Sequence, residues 1–186
     1  MTPEIERLET EVVEAKKRLT AAIRSAKPQP VGNYTLHDGL GRPVDLRDAF
    51  GHKRDLIVIH NMGRSCPYCT LWADGFIGLT KHLEDRAAFV LTSPDQPDVM
   101  AAFAASRGWP FRVLSHAGTT FAKDLGFEPE AGKFWPGVSA LVKNADGSMS
   151  RTGSRHFGPG DDFCALWPMF DLLADGAEGW KAKFAY

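Results

Sequence analysis

The sequence predicts an α/β fold: a mixed central sheet flanked by helices, carrying an N-terminal helical extension. Three observations predict it. The continuous run Leu56-Ile57-Val58-Ile59-His60 is apolar and β-branched, which suits a central strand buried on both faces. Strand-like and helix-like segments alternate after it, the pattern of a sheet with helices on its faces. A hairpin pattern precedes the alternation and another follows it, which adds antiparallel strands to the sheet.

The elements follow in order. Pro3 to Ser25 reads as a helix, with Thr2 able to cap it and Pro3 tolerated in the first turn. Ile5, Leu8, Val12, Ala15, Leu19 and Ala22 recur at alternating spacings of three and four, placing an apolar stripe on one face. The stripe suits either a homodimer through this helix or packing on the chain's own domain; fewer than three heptads favours packing. The run Lys16-Lys17-Arg18 reads as solvated surface. The segment Lys27 to Asn33, with two prolines and a glycine, ends the extension. Residues 1–27 are therefore expected to form an amphipathic helix and 28–186 the α/β domain.

Within the domain, Tyr34 to Leu46 reads as two short strands around a glycine-rich turn, and Leu56 to His60 as the central strand. Thr70 to Glu84 is expected to be one helix. A strand at Phe89 to Thr92, a helix from Asp95 to Arg107 ending at Gly108, and a strand at Phe111 to Leu114 follow. Thr119 to Leu125 is a short helix. Ser139 to Lys143 and Met149 to Thr152 form a hairpin around Asn144-Ala145-Asp146-Gly147. Asp161 to Leu173 is expected to be a final helix, kinked at Pro168.

Composition removes several function classes. The 22 Lys and Arg against 23 Asp and Glu leave a net charge of −1, without the basic excess of a nucleic-acid-binding domain. No apolar run approaches the ~20 residues needed to span a bilayer. The charged N-terminal segment lacks a signal-peptide core, so the expected location is the cytoplasm. Three cysteines, Cys66, Cys69 and Cys164, make no disulfide scaffold. In a reducing compartment a close pair is more often catalytic or metal-binding than structural.

The chemistry is expected at Cys66-Pro67-Tyr68-Cys69, just past the C-terminal end of the central strand and at the start of a helix. Unpaired N–H groups at a helix N-terminus favour an anion, so a thiolate at Cys66 is stabilised. Cys69, one turn on, can attack a mixed disulfide formed by Cys66. Cys66 is therefore assigned as the attacking thiol and Cys69 as the resolving thiol. Pro67 suits the first helical turn. Arg64 either adds positive charge beside the thiolate or points to solvent. Arg64, Ser65, Pro67, Tyr68, Trp72, Trp135, Pro136 and Val138 are grouped with the dithiol as supporting or substrate-binding residues. Tyr68, Trp72, Trp109, Phe134 and Trp135 could form an apolar rim around it, although core positions are preferred for Trp72 and Trp109. Asp74 and Asp124 are read as acids assisting proton transfer or as capping and surface groups.

Two competing readings are weaker. Zinc would need more ligands: His82 follows Cys69 at a finger-like distance, but no second histidine follows at the short spacing required. His60 could approach from the strand end, and a fourth ligand is missing. No metal or other cofactor is therefore expected. Cys164, in the apolar stretch Phe163 to Trp167, reads as a core residue.

These residues resemble a known group. The hairpin YTLHDGLGRPVDLRDAFG, the strand LIVIHNMG and the CPYC look like the alkyl hydroperoxide reductase/thiol-specific antioxidant branch of the thioredoxin-like superfamily. The match is best to a bacterial family of predicted dithiol-disulfide isomerases, through CPYCTLWADGF, RGWPF, KDLGF and PGVSALV. The resemblance covers about Tyr34 to Leu173. It implies a thioredoxin-like fold, thiol–disulfide oxidoreductase activity, and a protein or small-molecule thiol or disulfide as partner. Thiol peroxidase, and a non-catalytic thioredoxin-fold redox sensor or binding module, are the alternatives. The chain departs from the wider superfamily in two places. The position that faces the dithiol in thioredoxins, where a proline is usual, falls near Val138, with Pro136 two residues earlier. The proline and threonine that precede the peroxide-reactive cysteine of peroxiredoxins are replaced by Ile59 and Gly63, which disfavours direct peroxide reduction by that machinery.

Overall fold

The structure is a computed structural model describing residues 1–186. The N-terminal helix α1 (Pro3–Ser25) is capped by Thr2, whose hydroxyl accepts from the Ile5 N–H at 3.4 Å. Three short strands follow: β1 (Gln29–Val31), β2 (Thr35–His37) and β3 (Pro43–Asp45). A 3-10 turn at Leu46–Phe50 leads into β4 (Asp55–His60). Then come α2 (Pro67–Phe76), a 3-10 turn at Ile77–Leu79, α3 (Thr80–Arg86), β5 (Ala88–Ser93), α4 (Pro97–Arg107), β6 (Arg112–Ser115) and α5 (Phe121–Asp124). The hairpin β7 (Gly137–Lys143) and β8 (Met149–His156) and the short α6 (Leu166–Phe170) complete the chain.

All eight strands form one mixed sheet in the order β1-β8-β7-β4-β5-β6-β2-β3. β5 lies parallel to β4 and to β6, while β7 lies antiparallel to β4. Period-2 alternation along β4 divides the core. Leu56 and Val58 enter one cluster with Phe50, Val90, Phe121 and Phe127. Ile57 and Ile59 face the other, with Trp72, Phe76, Phe89, Leu91 and Trp109. The fold is the α/β, thioredoxin-like one that the sequence predicts, with the helical extension in place.

Four expectations need correcting. The helix expected over Thr70 to Glu84 is broken into α2 and α3, between which lies the 3-10 turn Ile77–Leu79. The break lies beside Gly75 and Gly78, which hold a helix poorly. The final helix shrinks to five residues: the Asp161 carboxylate takes the N–H groups of Phe163 and Cys164 at 2.7 and 3.1 Å, satisfying the backbone in a turn instead. β1, read as linker because of Pro28 and Pro30, pairs with β8 on the sheet edge, where a proline is tolerated. Finally, α1 buries none of its residues, so the stripe is not packed on the domain. Its exposed ion pairs, Arg7 with Glu4 and Glu11 and Lys17 with Glu14, contribute about 0.3–0.5 kcal/mol each, too little to replace burial.

No helix is long and apolar enough to cross a membrane.

Candidate active site

The loop that leaves β4 is held in a fixed path before it reaches the cysteines. Asn61 donates its N–H to the Thr92 carbonyl, extending the β4–β5 pairing by one residue. Its side-chain oxygen then accepts from the Gly63 N–H at 2.7 Å. Gly63 sits at φ +104°, a conformation that side chains disfavour. Asp95, at the end of β5, accepts from the Arg64 N–H at 2.7 Å and from the Ser93 hydroxyl at 3.0 Å. Ser115, at the end of β6, donates to the Asp95 carbonyl at 2.6 Å. Three strand ends therefore anchor one loop, at the sheet edge where α/β folds build their sites.

That loop delivers Cys66 to the N-cap of α2, with Pro67 in the first turn. The Cys66 sulfur accepts from the Cys69 N–H at 3.1 Å, and the Cys66 carbonyl accepts from the Thr70 N–H and hydroxyl, both at 3.1 Å. The sulfur thus occupies the place of a capping oxygen, facing orphan donors and the positive end of the helix. Cys69 is buried and its sulfur accepts from the Met62 N–H at 3.5 Å. All three cysteines are free thiols.

The two thiols are electrostatically unlike. Cys66 is lowered from 9.0 to about 7, chiefly because the Cys69 thiol donates to it, with help from the Cys69 and Tyr68 N–H groups and against partial burial. Cys69 is pushed strongly up, first by its bond to Cys66, then by burial and by the negative charge of its neighbour. One thiol is therefore half ionised near neutrality while the other holds its proton. Only the half-buried Cys66 combines thiolate character with access.

The structure places the remaining sequence candidates unevenly. Arg64 and Ser65 are exposed, and what ties Arg64 to the site is its backbone N–H, since its charge is not among the groups that lower Cys66. Tyr68 is partly buried against Trp72 and Trp167, with ring centroids 6.3 Å away in both cases. Trp72 is buried, as preferred. The expected aromatic rim does not close. Trp109 packs on Phe103 and Phe111, Phe134 lies on His116, and the exposed Trp135 stands edge-on to His156 at 4.9 Å. Pro136 holds Phe157 through its carbonyl at 2.9 Å. Val138 pairs with Ile59 across the sheet and lines an apolar cavity of about 310 Å³ with Ile57, Phe76 and Phe163.

The acids and histidines have structural partners. Asp74 accepts from the Trp109 indole N–H at 2.8 Å and pairs with Arg107, joining α2 to α4. Asp124 takes the Tyr34 hydroxyl at 3.1 Å and the Thr120 hydroxyl at 2.6 Å. His60 turns to the opposite sheet face from Ile57 and Ile59, bonds Ser139 at 2.9 Å and stacks on Phe127 at 3.7 Å. It is thus no partner for the cysteines. No group of three or more His, Cys, Asp or Glu side chains is arranged to hold a metal ion.

Sequence reasoning missed Asn61, Gly63 and Asp95. The glycine next to the motif was the available signal for a special backbone conformation. Asp95 lies 31 residues beyond Arg64, and nothing local marks it.

Comparison with known proteins now bears on this geometry. A family model described as "Bacterial protein of unknown function (DUF899)" matches residues 4–184. No curated protein matches. Among solved structures, the chain is similar to peroxidoxin BcpB from Mycobacterium tuberculosis, at 26% identity and a TM-score of 0.54, over 66% of this chain and 80% of that one. It is similar to reduced Prx3 from Vibrio vulnificus in complex with H2O2, at 18% identity and a TM-score of 0.58, over 73% and 90%. The bacterioferritin comigratory protein of Xanthomonas campestris matches at 17% identity and a TM-score of 0.53, over 66% and 80%. The fold is thus thioredoxin-like and related to that of peroxiredoxins.

Proposed function

The chain belongs to the bacterial family of unknown function DUF899, and from its dithiol we propose that it is a thiol–disulfide oxidoreductase. The observation that carries this reading is the asymmetry of the pair: Cys66 is lowered to about 7 at a helix N-cap, and Cys69 is buried beneath it with its proton retained.

The proposed cycle uses no further group. The Cys66 thiolate attacks one sulfur of a substrate disulfide, and the other sulfur leaves as a thiolate. A mixed disulfide joins Cys66 to the substrate. Cys66 no longer bears charge, so the interaction that held the Cys69 proton in place is gone. Cys69 loses its proton to the departing thiolate or to solvent and attacks the Cys66 sulfur. The substrate leaves as two thiols, reduced by two electrons, and Cys66 and Cys69 are left as a disulfide. Run backwards, the same steps oxidise a dithiol. The resemblance to predicted dithiol-disulfide isomerases supports this chemistry, with a protein or small thiol as the proposed partner and the reducing cytoplasm as the proposed setting.

A second reading, peroxide reduction at Cys66, draws on the peroxiredoxin-like fold. It is the weaker one here. A Cβ at Gly63 would lie 3.2 Å from the Asp95 carboxylate at φ +104°, so the threonine expected in a peroxiredoxin does not fit this loop.

The test is reduction of insulin disulfides by the pre-reduced protein, wild type against Cys66→Ser, with stopped-flow oxidation by hydroperoxide alongside. Disulfide reduction lost in Cys66→Ser supports the proposal. Wild-type activity no greater than that of the variant overturns it. A peroxide rate far above that of free cysteine would move the assignment to a peroxidase.

A further inference from the structure

Helix α1 leaves an apolar face open. Ile5, Leu8, Val12 and Leu19 are 46, 46, 52 and 42% exposed, and Ala15 and Ala22 complete the stripe without burial. The helix meets its own domain on a neighbouring face. There Ile23 approaches Gly153, and Lys16 pairs with Asp162 at 2.5 Å.

We propose that a second copy of this chain covers the stripe, the two α1 helices packing antiparallel about a two-fold axis between Val13 and Glu14. The first argument is numerical. The six stripe positions are symmetric about that point, so Ile5 meets Ala22 of the second copy, Leu8 meets Leu19, and Val12 meets Ala15. Each contact joins an a position to a d position, the layering of an antiparallel helix pair. A two-fold interface needs such a self-complementary patch.

The second argument is charge. The first half of α1 carries Glu4, Glu6, Glu9, Glu11 and Glu14 against the single cation Arg7, and the second half carries Lys16, Lys17, Arg18 and Arg24 with no acid. Antiparallel packing sets Glu11 beside Arg18 of the second copy, twice by symmetry, while Lys16 keeps its own-domain partner Asp162. A parallel pair would instead oppose Glu4 to Glu9 and retain only Glu11 beside Lys16. The seam-flanking charges therefore choose the antiparallel orientation. The opposed helix dipoles favour it further. An anionic membrane surface is a poorer occupant, because the five glutamates of α1 balance its five basic residues.

Sedimentation velocity and light scattering on the full chain test this. The wild type is expected to be a dimer. Leu8→Lys combined with Leu19→Lys is expected to give a monomer whose domain remains folded by near-ultraviolet circular dichroism. Glu11→Arg places like charges together and should weaken the dimer about tenfold. Adding Arg18→Glu restores opposite charges only in the antiparallel register and should recover wild-type affinity. A monomeric wild type, a dimer unaffected by the two lysines, or failure of Arg18→Glu to rescue Glu11→Arg overturns the proposal.

Discussion

The backbone N–H of Arg64 donates to the Asp95 carboxylate at 2.7 Å, which ties the loop before the dithiol to the end of the neighbouring strand. Asp95→Ala would leave this N–H and the Ser93 hydroxyl without their acceptor. A loss of about 2 kcal/mol is expected, because both bonds end on a charged group. Asp95→Asn keeps one acceptor oxygen and should lose less. Gly63→Ala should destabilise by at least ~1 kcal/mol, since φ +104° strains any side chain and the new Cβ crowds Asp95. Urea unfolding of the three variants measures this ranking. Variants as stable as wild type would mean that the loop is held by something else.

The unequal titration of the two thiols makes a sharper prediction. Cys69→Ala removes the donor that does most to lower Cys66, while leaving the Cys69 N–H in place. The Cys66 titration should rise from about 7 toward 9.0. Iodoacetamide alkylation near pH 7 should slow by about tenfold, since only the thiolate reacts. In wild type the rate should climb through pH 7 and level off above it. An inflection still near 7 in Cys69→Ala would assign the effect to the helix N-terminus instead.

Asp74 separates a proton-transfer role from a structural one. It joins α2 to α4 through Arg107 and takes the Trp109 indole N–H. Asp74→Ala strands both donors and is expected to destabilise by about 2–3 kcal/mol, with the Cys66 alkylation profile unmoved. A shifted profile at unchanged stability would make Asp74 a proton-handling group.

The sequence carried the fold further than it carried the site. The β-branched run at Leu56 to His60 and the CPYC after it placed a dithiol at a strand–helix junction, because both signals are local. Local signals also misled. Asp161 read as the start of a helix, yet its carboxylate takes two backbone N–H groups for a turn, and the helix begins only at Leu166. Pro28 and Pro30 hid β1, since a proline tolerated on a sheet edge looks the same in sequence as one in a linker. Asp95 was invisible because its role exists only once β4 and β5 pair. His60 was legible after all. Alternation along β4 puts it with Leu56 and Val58, away from Ile57 and Ile59, and that alone argues against a ligand role beside the cysteines.

The buried histidines predict how the fold responds to acid. His116 is lowered from 6.5 to about 4, mainly by burial, and His60 is held well below 6.5, again first by burial and then by His116, Arg151 and His156. Both are neutral in the folded chain and bind protons more readily when it unfolds. Stability is therefore complete above about pH 6.5 and falls as pH drops from there to about 4, where His116 itself begins to charge in the folded state. Moving one histidine from 6.5 to about 4 corresponds to about 3 kcal/mol lost over that window. His116→Phe keeps a ring against Phe121 and Phe134 and removes the proton site. Denaturant unfolding at pH 7 and pH 4.5 should show a smaller acid loss in the variant than in wild type. Equal losses would place the acid sensitivity at His60 or in the carboxylates.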